Sequence, residues 1–269
     1  MKKGSRSRVH VEESHRWVFN QMAEDYDARP PYPRTLIDAL TAWGTTAGPR
    51  VCDLGAGTGQ LTLPLASHGF AVTAVEPALS MLEQLRRNAA ERSIDVRLLH
   101  AAAESVPVEP ASFDWALIAD ALHFIDAEAA ARELARILVV RGRLAVITCE
   151  FTPTPFMREV IGLMQASAPR RPRNVVARRA QLFGVGKFLS VEETRFFDQT
   201  PVDPEALERI LATISFIGPA MNEHRAAVFR ERLRAIAHPP IWARTFTLHT
   251  ARRGLAQPSP PRSRGTRTR

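Results

Sequence analysis

The stretch Val51-Cys52-Asp53-Leu54-Gly55-Ala56-Gly57-Thr58-Gly59-Gln60 decides the reading of the chain. A short apolar run ends in three glycines at alternate positions, and a helical pattern follows to about His68. Glycine lets the backbone turn sharply and come close to a ligand, and the helix that follows offers unpaired N-H groups at its start. The turn is therefore a nucleotide-binding device. The dinucleotide fingerprint would require a further glycine at position 60, where this chain has Gln60, and this speaks against a dehydrogenase.

Outward from that turn the chain alternates short apolar runs with helical patterns. Leu36, Ile37, Leu40 and Trp43 have helical spacing from Pro33 and are expected to stop at Gly44. Strands are expected near Arg50 to Leu54, Ala71 to Val75, Val96 to His100, Trp115 to Ala119 and Leu144 to Cys149. Helices are expected at Leu79 to about Arg92 and Ala127 to Val139. Continuous apolar strands separated by helices predict a parallel sheet covered on both faces. After Phe151 the alternation breaks. Residues 152-190 are rich in proline and arginine and read as a cap insertion. Val191 to Phe197, Pro204 to Ile214, Asn222 to Ile236 and Thr245 to Ala251 then read as strand, helix, helix and final strand.

The second signal is Glu76 in Val75-Glu76-Pro77, 21 residues beyond Gly55 and at the end of the next strand. A carboxylate there can accept both hydrogen bonds of a ribose diol. Asp53, the glycine turn and Glu76 together resemble motif I and its successor in the class I S-adenosylmethionine-dependent methyltransferases. The resemblance runs from about residue 15 to 252. It implies a Rossmann-like, doubly wound, mostly parallel seven-stranded α/β sheet with Thr245 to Ala251 antiparallel, carrying a helical cap. It also implies S-adenosyl-L-methionine as cofactor.

Further site residues follow from the resemblance. Gly55, Ala56, Gly57 and Gly59 would wrap the methionine part, with Asp53 leading the turn, and Pro77 and Met81 would flank the adenine. Ala102-Ala103-Glu104 looks like the adenine-side loop; because relatives often have Asp where Ala102 stands, Ala103 and Glu104 take the contact. Asp120-Ala121 would close the cofactor site at the end of the fourth strand. His123, two residues further on, is the candidate base, because imidazole suits proton removal near neutral pH. The usual Pro-Gly before strand five is Val140-Arg141 here. Residues 15-33 resemble the lid of small-molecule methyltransferases, in which Tyr26 would cover the cofactor and Arg29 pair with its carboxylate. Trp17 and Phe19 fit either the acceptor pocket or a hydrophobic anchor for the lid.

Composition limits the partners. The net charge of +8 suggests nucleic acid until it is located. Lys2, Lys3, Arg6, Arg8, Arg262, Arg264, Arg267 and Arg269 are eight of the 36 Lys and Arg, and without them 28 remain against 28 Asp and Glu. The body is neutral, and the basic ends, residues 1-14 and 253-269, read as disordered. A small-molecule acceptor is expected, and nucleic acid is not. A tRNA or rRNA methyltransferase and a catalytically inactive binding protein of the same fold are the rival readings. No Asn-Pro-Pro-Tyr-like motif follows strand four. The arginines between 170 and 179 read as a solvated face or as a guide for an anionic substrate. No apolar run is long enough for a membrane helix, and residues 1-9 lack the apolar core of a secretory signal, so a cytoplasmic location is expected. Cys52 and Cys149 stand in apolar strand patterns, with no metal-ligand spacing, and read as buried thiols.

Overall fold

The computed structural model describes residues 18-167, 174-215, 217 and 223-254. The expectations for residues 1-14, Trp17, the arginines at 170, 171 and 173, and the tail from 255 lie outside these.

The lid helix α1 covers residues 18-26. The elements that follow are α2 (Arg34–Thr45), β1 (Arg50–Leu54), α3 (Thr62–Ser67), β2 (Ala71–Val75), α4 (Leu79–Glu91), β3 (Arg97–Leu99) and β4 (Phe113–Ala119). A single 3-10 turn, Leu122–Phe124, leads to α5 (Ala127–Ile137), β5 (Leu138–Phe151), α6 (Pro155–Ser167), α7 (Val175–Val185), β6 (Phe188–Pro201), α8 (Pro204–Ala212), α9 (Glu223–Arg234) and β7 (Ile241–Arg253). The seven strands form one sheet in the order β3-β2-β1-β4-β5-β7-β6. Pairing is parallel from β3 through β5, while β7 runs antiparallel between β5 and β6. The seven-stranded, mostly parallel α/β sheet is the expected one, antiparallel last strand included.

Local chemistry explains the elements. β1 and β2 are buried on both faces, as parallel strands under helices must be. α5 begins where the Asp126 carboxylate accepts from the Glu128 and Ala129 N-H groups, both at 3.0 Å. Asn174 and Asp203 cap α7 and α8 in the same way. One face of the sheet packs on α5 and α7 through Ile118, Leu134, Leu182 and Phe183. The other packs on α2 and α3 through Leu36, Leu40, Leu65 and Trp115.

Three differences from the sequence reading have physical causes. α2 runs through Gly44, whose missing side chain makes room for an indole: a Cβ there would stand 2.8 Å from the Trp115 ring. At Val140-Arg141 the chain makes no break between helix and strand. Leu138 already pairs with Phe113, and Arg141 takes the left-handed backbone (φ 63°) that glycine would supply in relatives. The cap is also not the block 152-190. α7 inside that block buries Leu182 and Phe183 in the main core, whereas α6, α8 and α9 share a separate apolar cluster built on Phe156, Met157, Val160, Leu207, Ile210 and Phe229. The cap thus comes from two excursions of the chain, one on each side of β6.

Candidate active site

A cavity of about 480 Å³ opens at the carboxyl ends of β1, β2 and β4, where the direction of winding reverses. In a doubly wound sheet this is where ligands bind.

The glycine turn forms one wall. Gly55, Gly57 and Gly59 all have left-handed backbone, with φ of 78°, 57° and 91°. Their surroundings differ. A Cβ on Gly55 would stand 2.6 Å from that of Ala121, so the turn is pressed against the end of β4. A Cβ on Gly57 would find only Tyr26, at 3.9 Å, and the bare backbone faces the cavity. Gly59 does not line the cavity; a side chain there would meet Leu85 at 2.9 Å, so its glycine serves packing against α4 rather than a ligand.

Glu76 stands at the end of β2, buried and on the cavity wall. Its Oε2 accepts from the Gly57 N-H and its Oε1 from the Ala78 N-H, both at 2.9 Å. The carboxylate therefore fixes the loop as well as facing the cavity. Asp53 lies behind the turn at 2 % exposure and accepts from the Thr62 hydroxyl at 2.6 Å. Burial, reinforced by the nearby Glu76 charge, pushes its pKa from 3.8 to about 7 against the stabilising Thr62 bond.

Pro77, Met81, Ala103 and Glu104 line the same side. Glu104 Oε1 accepts from the Asp126 N-H at 2.8 Å, which holds the loop to the start of α5. Asp120 leaves β4 with left-handed backbone (φ 47°), and its N-H donates to the Ile147 carbonyl at 2.9 Å. Asp120, Ala121 and His123 all line the cavity. The His123 ring is 3.9 Å from that of Phe124, which meets Phe19 edge-on at 5.0 Å.

The lid is fastened on both sides. Asn20 caps α4 by accepting from the Ser80 N-H at 2.9 Å. Asp27 accepts from the Thr58 hydroxyl (2.6 Å), Asn88 (2.9 Å) and Gln84 (3.0 Å). Arg29 lies over the Tyr26 ring at 4.3 Å, donates to its hydroxyl at 3.1 Å, and reaches the Thr213 hydroxyl (2.8 Å) and carbonyl (2.7 Å) at the end of α8. Part of its fork is thus spent on the cap. Arg244, from β7, pairs with Asp198 and donates to the Pro30 and Pro31 carbonyls at 2.8 and 2.7 Å. Burial raises the Tyr26 hydroxyl, with Arg29 opposing and Asp120 and Glu76 reinforcing. Tyr32 is raised further, by burial and then by Asp120.

The cavity thus gathers the sequence-predicted residues except Gly59, and adds others that patterns did not single out. Tyr32, Cys149, Phe151, Ile161, Trp242 and Phe246 come from the lid, two strands and the cap. Their signal, single apolar or aromatic residues near strand ends or on a helix, is indistinguishable from core packing in sequence. The Cys149 thiol is raised by burial, so it is neutral in the cavity. Arg178 donates to the Ile125 carbonyl and Arg179 lies 3.4 Å from His249, and neither lines the cavity. Among the described residues no group of three His, Cys, Asp or Glu is arranged to hold a metal, and no helix is long and apolar enough to cross a membrane.

Residues 52–146, which carry the turn, Glu76 and Asp120, match the family described as "Methyltransferase domain". This part of the chain is a domain of the class I methyltransferase family. An uncharacterised methyltransferase of Mycobacterium tuberculosis is 43% identical over 119 residues, 44% of this chain and 46% of that protein. The match thus spans about half the length of that relative. The demethylmenaquinone methyltransferase of Thermus thermophilus is 40% identical over 155 residues, 51% of this chain and 66% of that protein. Among solved structures, a putative methyltransferase from an antibiotic biosynthesis pathway of Anabaena variabilis superposes with a TM-score of 0.59 at 21% identity, covering 79% of this chain and 96% of that one. That likeness speaks for the fold.

Proposed function

We propose that the protein is an enzyme that transfers a methyl group from S-adenosyl-L-methionine to an oxygen, nitrogen or carbon nucleophile of a small molecule. The observation that carries this reading is the join between Glu76 and Gly57, which brings a ribose-binding carboxylate and an uncovered stretch of backbone to the same wall of an enclosed cavity.

The residues fit such a cofactor. Glu76 accepts from the ribose diol. Pro77 and Met81 offer an apolar slot to the adenine, and Ala103 and Glu104 lie at its edge. Asp53, Gly55, Ala56 and Gly57 hold the methionine part; Tyr26, Asp120 and Ala121 enclose it; the remaining donors of Arg29 meet its carboxylate. When bound, the cofactor supplies a methyl group activated by the positive charge on sulfur. The chain's task is then alignment, exclusion of water and proton removal. His123, half-buried at the start of the cavity's acceptor side, is the proposed base.

The cap supports a small acceptor, because Ile161 of α6, Ile210 of α8 and Ile214 just beyond α8 contribute to the cavity wall. The named activity of the Thermus relative points to a small-molecule acceptor as well. Isothermal titration with S-adenosylmethionine tests the cofactor. Micromolar binding by the folded protein is expected, and no heat at all would sink the proposal. Extracts incubated with the enzyme and methyl-labelled cofactor would then reveal the product by mass spectrometry.

A further inference from the structure

Strand β6 ends the sheet. It pairs with β7 on one side, and among the described residues no strand pairs with its other side. An edge strand presents a row of N-H and C=O groups to any second strand, and proteins blunt such edges with short length, bulges, proline or charge. β6 is 14 residues long. Its bulge is confined to one end, where pairing with β7 slips between Leu189 and Glu192 and Ser190 has left-handed backbone (φ 54°), and its proline to the other, at Pro201. From Glu192 to Thr200 the ladder is unbroken. Alternation puts Glu193, Arg195 and Phe197 on one face, and Arg195 Nη2 lies 2.9 Å from Glu193 Oε1 at the surface. This pair of opposite charges is flanked by two exposed apolar side chains, Val191 at 48 % and Phe197 at 73 % exposure.

We infer that this edge pairs with the same edge of a second copy of the chain, antiparallel about a two-fold axis at Thr194, so that one sheet runs through both protomers. Charge selects the register. Residues that face each other across an antiparallel pair project to the same side of the sheet, so the axis passes through a residue and not between two. An axis at Glu192 or Glu193 sets an acid opposite itself. An axis at Arg195 sets arginine opposite arginine and Glu192 opposite the partner's Asp198, and one at Phe196 leaves Glu193 and Arg195 facing uncharged residues. An axis at Thr194 sets Glu193 opposite the partner's Arg195 and Val191 opposite the partner's Phe197, each twice by symmetry. Opposite charges and apolar side chains facing each other stabilise a strand pair, whereas like charges destabilise it. The contact is isologous and closes at two copies. One strand pair covers an area at the low end of specific interfaces, so association is expected in the micromolar range.

Sedimentation velocity of the full chain, from about 1 to about 300 μM, tests the contact. Wild type is expected to pass from one copy to two within that range. Arg195→Glu gathers four acids around the axis and Glu193→Arg gathers four arginines, and each is expected to weaken association about tenfold or more. Mixed in equal amounts, these two variants are expected to pair with each other about as tightly as wild type does with itself, because every arginine then faces a glutamate. Phe197→Ser leaves the charges alone and is expected to weaken the dimer about threefold to tenfold. Arg195 and Phe197 are exposed, so the test stands on their variants even where Glu193→Arg, which gives up the His249 contact at 3.0 Å, melts early. A single copy at every concentration, a dimer that Arg195→Glu or Phe197→Ser leaves intact, or folded charge variants that do not pair with each other would overturn the inference.

Discussion

Glu76 and Gly57, 19 positions apart in the chain, are joined by a hydrogen bond of 2.9 Å from the glycine N-H to the glutamate Oε2. The residue proposed to bind ribose is therefore also the strut of the loop proposed to hold the methionine part of the cofactor. Glu76→Ala removes both functions and leaves the Gly57 and Ala78 N-H groups without their acceptor. Calorimetry is expected to show S-adenosylmethionine affinity falling by about tenfold to a hundredfold. The melting temperature should fall too, and Glu76→Gln, which keeps one oxygen, should recover part of both losses. Equal affinity in wild type and Glu76→Ala would remove Glu76 from the site.

Asp53 gives the protein a pH signature. Its pKa is 3.8 when unfolded and about 7 when folded, so the folded chain binds the proton more tightly. A raised value means that its contribution to stability is fully present below 3.8 and is lost as the pH climbs through about 7. Urea unfolding of wild type and Asp53→Asn between pH 5 and pH 8 isolates this group, since the other titrations cancel in the difference. Wild type is expected to lose stability relative to the variant across that window, and a constant difference would contradict the shift.

Gly44→Ala tests the packing of α2. Alanine in place of glycine inside a helix normally stabilises by about 0.5–1 kcal/mol. Here the new methyl would stand 2.8 Å from the Trp115 ring, which is wedged between Trp43 and Phe70 at centroid distances of 5.5 Å. Destabilisation of about 1–3 kcal/mol is expected in its place, as for other overpacked cores, measured by denaturant titration.

His123→Ala separates the proposed base from the binding machinery. Turnover of the labelled product should drop by about 10²–10⁴-fold, with cofactor affinity within about twofold of wild type. Loss of cofactor affinity with no change in maximal rate would make His123 a wall of the cavity and nothing more.

The parts of this architecture readable in sequence were those in which a local pattern has one structural meaning. The apolar runs of β1 and β2 sit between helices on both faces, and no other arrangement buries them. Three glycines with left-handed backbone beside a ribose-spaced carboxylate were legible for the same reason. The edge strand β6 was read short, as Val191 to Phe197, because its residues are mostly exposed and polar and its length is set by pairing with β7. Helical periodicity identified α8 and α9 as helices, while α6 and α7 stand in a stretch rich in proline and arginine that reads only as an insertion; even where a stripe is plain, it does not say which surface it meets. Only the fold shows that Leu182 lies in the main core and Ile210 in the cap. The acceptor wall was the least legible, since Tyr32, Phe151 and Trp242 converge from 210 positions of chain.

The cap's construction from two excursions flanking β6 separates inheritance of the donor chemistry from choice of acceptor. Residues 52–146 contain the turn, Glu76 and the end of β4, whereas α6, α8 and α9 lie wholly downstream. Exchange of those three helices between relatives, with the sheet untouched, is a route by which one methyl-donor platform acquires new clients.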